Sequence, residues 1–557
     1  MTDALDEWVA EYFSRRPVNA TFAGVHEHDD RLPDWSPTGR ASLDTDMRAI
    51  VARLHAEFPA PASESTYRDH PDLLDAELMR AFCEIQLSEN TSLHGVRGNP
   101  ALWTGEAVFA VIALMIRDFA PLALRVRSAI ARMNAIPAFL ADARACLGHQ
   151  PLPAAWVERA IRDCAGAAIL FERGVTLWLA SGEDDPAVTA DAQAAAAKAV
   201  RAFSEFAKWI SGRPAAPESM MVCGTVHYDL LLRRGHQCHR PRADLLAAAH
   251  QQLDVERRRL TEMAAAQGGS WSEVQTRLAD DHPSAGEYLK SFGDEWLASH
   301  RTIVAADVVT WPDWPIAYAE IPTFTREAAP YLYFLFYRSP APLDPYHLHT
   351  YVVAPLPPGD PEPHLRSWNR SVIRLNHVLH HGGVGHHVQN WHAYHRAPSR
   401  VGKLAAVDCA SRIAMFCGGT MAEGWACYAT GLMGELGGLT PLELVAEQHG
   451  RVRMLARAVV DLSFHAGELS FGDAIALFTD RTEMNPSAAR AEVIKCSMFP
   501  GTAVMYWIGT QGILDLRERR RRTEGSALSL RAFHDELLGH GSIPVPLVAR
   551  LMGGEET

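Results

Sequence analysis

The chain has no C-x-x-C pair among its nine cysteines, no apolar run long enough to span a bilayer and no excess of positive charge. It also has no internal repeat and no low-complexity tail. Scattered, unpaired thiols argue against a disulfide scaffold or a thiolate zinc finger and suit free cysteines in a reducing cytosol. His236-Gln237-Cys238-His239 has no second thiol cluster to complete a metal site. The longest apolar run, Val108 to Ile116, stops at Arg117-Asp118, far short of the roughly 20 residues a membrane helix needs. A net charge of −13 offers nucleic-acid phosphates no basic face. The one basic run, Arg517-Glu518-Arg519-Arg520-Arg521-Arg522, reads as a solvated helix end, where cations suit the dipole. Met1 to Pro17 is acidic and amphipathic, without the shape of a signal peptide. These features predict a cytoplasmic protein with no membrane and no nucleic-acid partner.

What is present is mostly helix. With 557 residues, 48% hydrophobic and 21% charged, the chain can bury a large core. Apolar residues recur at three- and four-residue spacing over Asp72 to Leu93, Trp103 to Ile130, Trp156 to Leu179 and Ala190 to Ile210. Residues 211–217 hold two prolines and a glycine and read as a break; helix follows from Pro241 to about Gln267 and on to about Ser299. The texture then changes. Short β-rich runs at Ile316 to Ile321, Tyr331 to Tyr337 and His349 to Val353 predict a small sheet, with Tyr331, Tyr333 and Tyr337 on one strand face. Five prolines in Ala354 to Pro363 predict an irregular loop, and helix resumes from Leu365.

The most informative segment follows that sheet: His380-His381-Gly382-Gly383-Val384-Gly385-His386-His387. Neutral imidazole is a common metal ligand. Each glycine costs a helix about 1 kcal/mol relative to alanine, so three of them mark a backbone that must bend. On a straight helix His380 and His387 share a face but are separated by about 10 Å of rise, and His380 and His386 point to different faces. Either pair meets only if the helix bulges at the glycines. His377 and His381, four apart, form a rival pair that needs no bulge. A third ligand is required, and Glu423 in Thr420-Met421-Ala422-Glu423-Gly424-Trp425-Ala426 is the best candidate. The competing role for Glu423 is a capping box with Thr420, after a turn at Gly418-Gly419.

These motifs, with others, resemble the bacterial "domain of unknown function 885" family, whose members are described as metallopeptidases of the gluzincin type. The family pattern HExxPGHHxQ matches His380 to Gln389, and EGWAxYAE matches Glu423 to Thr430. RAxRLVVDxGLH aligns with Arg457-Ala458-Val459-Val460-Asp461-Leu462-Ser463-Phe464-His465. PGQAxxYxIG aligns with Pro500 to Gly509, and FHDxLLxxG with Phe533 to Gly541. The N-terminal half joins through Asp29 to Ser36 and Arg117 to Leu122. Departures stand at four places: the glutamate after the first histidine is His381, the proline is Val384, the closing glutamate is Thr430, and an arginine-tyrosine pair is Lys495-Cys496.

The resemblance implies a mainly α-helical, two-lobed, oligopeptidase-like fold with a deep cleft and a small sheet. Residues 1–300 would form the N-terminal helical lobe and 301–557 the metal-site lobe, as one intertwined unit. It implies one divalent metal, zinc by family, held by His380, His386 or His387, and Glu423. The substrate would be a peptide or an amide-containing small molecule. In a gluzincin the replaced glutamate is the general base. His381 is therefore a substitute base, an added ligand or a lost base, so a non-hydrolytic metalloenzyme or a binding module is the alternative. Tyr506 and His465 match positions that would line the cleft and donate to an oxyanion. Asp461, four residues before His465, would orient that imidazole.

Overall fold

The computed structural model describes residues 3–61, 64–182, 185–314, 316–332, 337–338, 341–344, 349–406 and 414–553. The architecture is mainly α-helical, as the periodicity predicts, with one three-stranded sheet. The predicted helix over Trp103 to Ile130 is two helices, Pro100–Met115 and Leu122–Leu147. Pro121 at the head of the second cannot supply the backbone N–H that a continuous helix requires. The helix from Trp156 runs on to Leu179 but carries a π-helical turn at Leu170–Gly174. The largest apolar cluster joins residues remote in sequence, among them Trp8, Leu78, Val388, Trp425 and Leu551.

The sheet has strand β1 (Ile316–Glu320), β2 (Tyr337–Arg338) and β3 (His349–Val353) in the order β1-β3-β2. β1 and β3 run parallel with Tyr318 opposite Tyr351; β2 is antiparallel to β3. The expected strand does not begin at Tyr331, and Tyr337–Arg338 is its described part. Ala329–Tyr331 is a 3₁₀ turn begun by Pro330, and Tyr333 lies outside the described residues. The proline-rich stretch ends earlier than expected, because Pro363 sits in the first turn of a helix, Glu362–Ser367, where a missing N–H costs nothing.

The histidine segment is a broken helix. Ile373–Gly382 is π-helical, Gly383 and Gly385 leave helical geometry, and an α-helix restarts at His386–Arg396. Arg374 holds the π-helical part in place, bonded to Glu295 and Glu443, each at 2.7 Å. Glu443 belongs to the capping box that starts helix Pro441–Phe464. The basic run lies at the end of helix Val504–Glu524, where Arg517 pairs with Glu435 and Arg521 with Glu518. Among the described residues no helix is long and apolar enough to cross a membrane.

Candidate metal centre

Glycine decides which histidines meet. After the π-helical turn the chain doubles back so closely that a Cβ on Gly385 would lie 2.0 Å from the His380 carbonyl oxygen. Only glycine allows that approach. The Gly385 N–H donates to the Leu379 carbonyl, and the indole of Trp425 donates to the Val384 carbonyl at 2.8 Å. The tryptophan of one motif thus locks the break inside the other.

The bend brings His380, His381 and His386 together, with one ring nitrogen of each within 4.8 Å of the others. Glu423 enters from helix Gly419–Glu435. Its Oε2 lies 3.2 Å from Nε2 of His380 and 3.7 Å from Nε2 of His386. The capping-box alternative is not formed: the helix begins before Thr420, whose hydroxyl instead accepts from the Val545 N–H. His387 faces the other way. It is fully buried, with Nε2 toward the Trp314 carbonyl at 3.3 Å and its ring against His349. The rival pair is not assembled either, because His377 stacks on Trp368 at 4.2 Å and bonds the Tyr351 hydroxyl.

The electrostatics are those of a buried imidazole–carboxylate pair. Burial opposes charge on Glu423, but the neighbouring histidines, His380 first, hold its carboxyl well below the usual range. Burial likewise opposes charge on His380, and its contacts with Cys427 and Glu423 more than offset this, so its pKa is raised. Burial pushes His386 down to about 4 and, with repulsion from its two neighbours, pushes His381 far below its ordinary value. His381 Nδ1 is 2.6 Å from the Asn376 carbonyl. A carbonyl can only accept, so Nδ1 carries the proton and Nε2 keeps its lone pair.

The donor set fits a metal ion on two grounds. Glu423 Oε2 is buried with no well-aligned hydrogen-bond donor among the described residues, despite its two near imidazoles. Ligand bonds of about 2.1 Å in tetrahedral geometry place donor atoms about 3.4 Å apart. The 3.2 and 3.7 Å separations bracket that edge.

The site opens into a cavity of about 760 Å³ that also carries Tyr506 and Cys427 on its wall. Burial, with the negative charge of nearby Glu423, pushes the Tyr506 hydroxyl's pKa well up. Cys427 went unremarked in the sequence; its signal is the four-residue spacing from Glu423, which puts both on one helix face. His465 is a correction. It does not line the cavity: Nε2 donates to the Cys496 carbonyl at 3.0 Å and Nδ1 accepts from the Cys223 N–H at 3.4 Å. Asp461 does not orient it at hydrogen-bond distance, being 3.8 Å away. Asp461 instead accepts from the N–H groups of Gly501, Ala503 and Val504, anchoring the helix that presents Tyr506.

These features define a mainly helical protein with a histidine-carboxylate cluster on the wall of a cavity. The chain belongs to the bacterial protein family of unknown function DUF885, whose pattern matches residues 17–552. Its fold is similar to a candidate lipoprotein of unknown function from Shewanella oneidensis, at 20% identity and a TM-score of 0.77, over 99% of this chain and 98% of that one. A candidate lipoprotein from Colwellia psychrerythraea is similar at 16% identity and a TM-score of 0.77, over 99% of both chains. No curated protein matches the chain.

Proposed function

We propose that this chain is a gluzincin-like, metal-dependent hydrolase of peptide or related amide bonds. His380, His386 and Glu423 would hold a divalent ion, zinc by donor chemistry. The observation that carries the reading is the convergence of the two imidazoles on one buried carboxylate oxygen, at 3.2 and 3.7 Å. When bound, the ion supplies Lewis-acid polarisation of a carbonyl.

The remaining work falls to the chain's own groups. The Tyr506 hydroxyl, on the same cavity wall as Glu423, would donate to the carbonyl oxygen as negative charge develops there. His381, its Nδ1 tied to Asn376, offers Nε2 to take a proton from the attacking water in place of the family's glutamate. A second reading rests on His381 standing within 4.8 Å of its two neighbours. As a third nitrogen ligand it would favour a non-hydrolytic metalloenzyme.

Elemental analysis of protein purified without a histidine tag tests the ion. Mass analysis of products then separates the readings, since hydrolysis adds one water. The two structural neighbours described as candidate lipoproteins favour an envelope setting over the cytoplasmic one suggested by the thiols; cell fractionation decides between them.

A further inference from the structure

The cavity wall beside Tyr506 carries three cations that the hydrolase chemistry does not use: Arg453, Arg457 and Lys495. Arg453 and Arg457 lie four apart on helix Pro441–Phe464, and Lys495 comes from helix Pro486–Met498. Glu492 is the carboxylate that meets them. It binds Arg457 in a fork, at 2.8 and 2.6 Å, and stands 3.9 Å from Arg453. Arg453 Nε is buried with no hydrogen-bond partner among the described residues. Of the other arginines on the wall, Arg159 pairs with Asp163, Arg15 with Glu11 and Asp46, and Arg16 bonds the Gln86 amide oxygen, while Arg40 lies away from this group on helix Pro37–Glu57.

Three cations against one carboxylate leave an excess of positive charge on this part of the cavity wall. Arg453, whose side chain is 40% exposed, and Lys495 are open to an incoming anion, and a charge-assisted hydrogen bond is the contact they offer. Tyr506 connects this cluster to the reactive end. The Arg457 guanidinium carbon lies 5.7 Å from the centre of its ring, and Tyr506 shares the cavity wall with Glu423. Arg453 lies one helical turn from Arg457, so the cation cluster adjoins the candidate metal centre by way of Tyr506 on the same cavity wall.

We infer, resting on the hydrolase reading above, that the substrate carries a free carboxylate one residue beyond the bond that is cut, and that Arg453 and Lys495 bind it. The reaction is then release of a C-terminal residue. One water is consumed: a C–O bond forms at the carbonyl carbon, the C–N bond breaks, and the nitrogen takes a proton and leaves as the free amino acid.

The test is equilibrium dialysis of the full chain against a pool of N-acetyl dipeptides with free carboxylates, mixed with the same dipeptides as C-terminal amides. Retained peptides are read by mass spectrometry. Acids should be retained about 10-fold or more over their amide twins, because a charge-assisted hydrogen bond is lost in the amide. That preference should disappear in Arg453→Met and in Lys495→Met. Lys495 is exposed, so its variant keeps the test open if Arg453→Met fails to fold. A pool in which no acid outlasts its amide, or a preference that survives both substitutions, overturns the inference. Product masses from the same run judge the hydrolase reading separately. An acid preference with no gain of water keeps the carboxylate site and removes the hydrolase; equal hydrolysis of acids and amides does the reverse.

Discussion

Gly424 and Gly509 meet backbone to backbone: a Cβ on Gly424 would lie 2.5 Å from the Gly509 Cα, and one on Gly509 would lie 1.9 Å from the Thr420 carbonyl oxygen. Glu423 adjoins the first glycine and Tyr506 lies one turn before the second. The crossing of helices Gly419–Glu435 and Val504–Glu524 therefore sets the distance between the carboxylate and the phenol. A methyl group here forces the helices apart. Gly509→Ala should destabilise the fold by about 1–3 kcal/mol, as overpacking of a tight contact does. Thermal melting reads it, and an unchanged melting temperature would show that the crossing has slack.

Glu423→Gln and His380→Ala each remove a donor from the proposed ion. Both should lower bound metal from near one equivalent to a small fraction of it, measured by elemental analysis after dialysis. Full metal content in both variants would place the ion elsewhere.

His381 separates two chemistries. If its Nε2 is the base, His381→Ala keeps metal and loses turnover; if it is a ligand, metal content falls with it. With Nδ1 committed to Asn376, Nε2 is available for either role. His381→Glu restores the residue of the family pattern, and the base reading expects it to support amide hydrolysis in a peptide assay. No activity in that variant, with metal retained, would count against a hydrolase.

Tyr506→Phe should lower turnover about 10²–10³-fold with substrate affinity and melting temperature nearly unchanged, the cost typical of one oxyanion donor. A drop in stability with intact turnover would assign the hydroxyl to the packing of Glu423 alone.

Acid should unfold this protein through its buried histidines. His236, His465 and His534 are almost completely buried, and burial pushes each down to about 4. In the unfolded chain they titrate near 6.5. Between about pH 4 and 6.5 the unfolded chain binds more protons than the folded one. Stability therefore rises with pH through that window and falls on acidification, by up to ~1.4 kcal/mol per pH unit for each histidine. Melting of metal-depleted protein at pH 7, 5.5 and 4.5 checks this; a flat profile contradicts it.

Much of this protein is local and was readable as sequence. Helix periodicity is repeated every turn, so Ala190 to Ile210 and Pro241 to Gln267 stand close to the observed Pro186–Ser211 and Arg242–Ala266. The glycines of the histidine segment announced a bend because no regular element tolerates three of them. Glu423 read equally as a third ligand or a capping glutamate, because no spacing rule ties it to histidines about forty residues earlier. Tertiary structure alone chose His386 over His387, since a side chain's direction depends on how far the break rotates the second helix. It turned His465 into a backbone clamp and left Glu423 uncapped, because the residues that decide both, Cys223, Cys496 and Val545, arrive from distant segments. It also gathered Arg453, Arg457 and Lys495 onto one wall. Periodicity shows that a helix has faces; only the packing of one helix against another decides what each face meets.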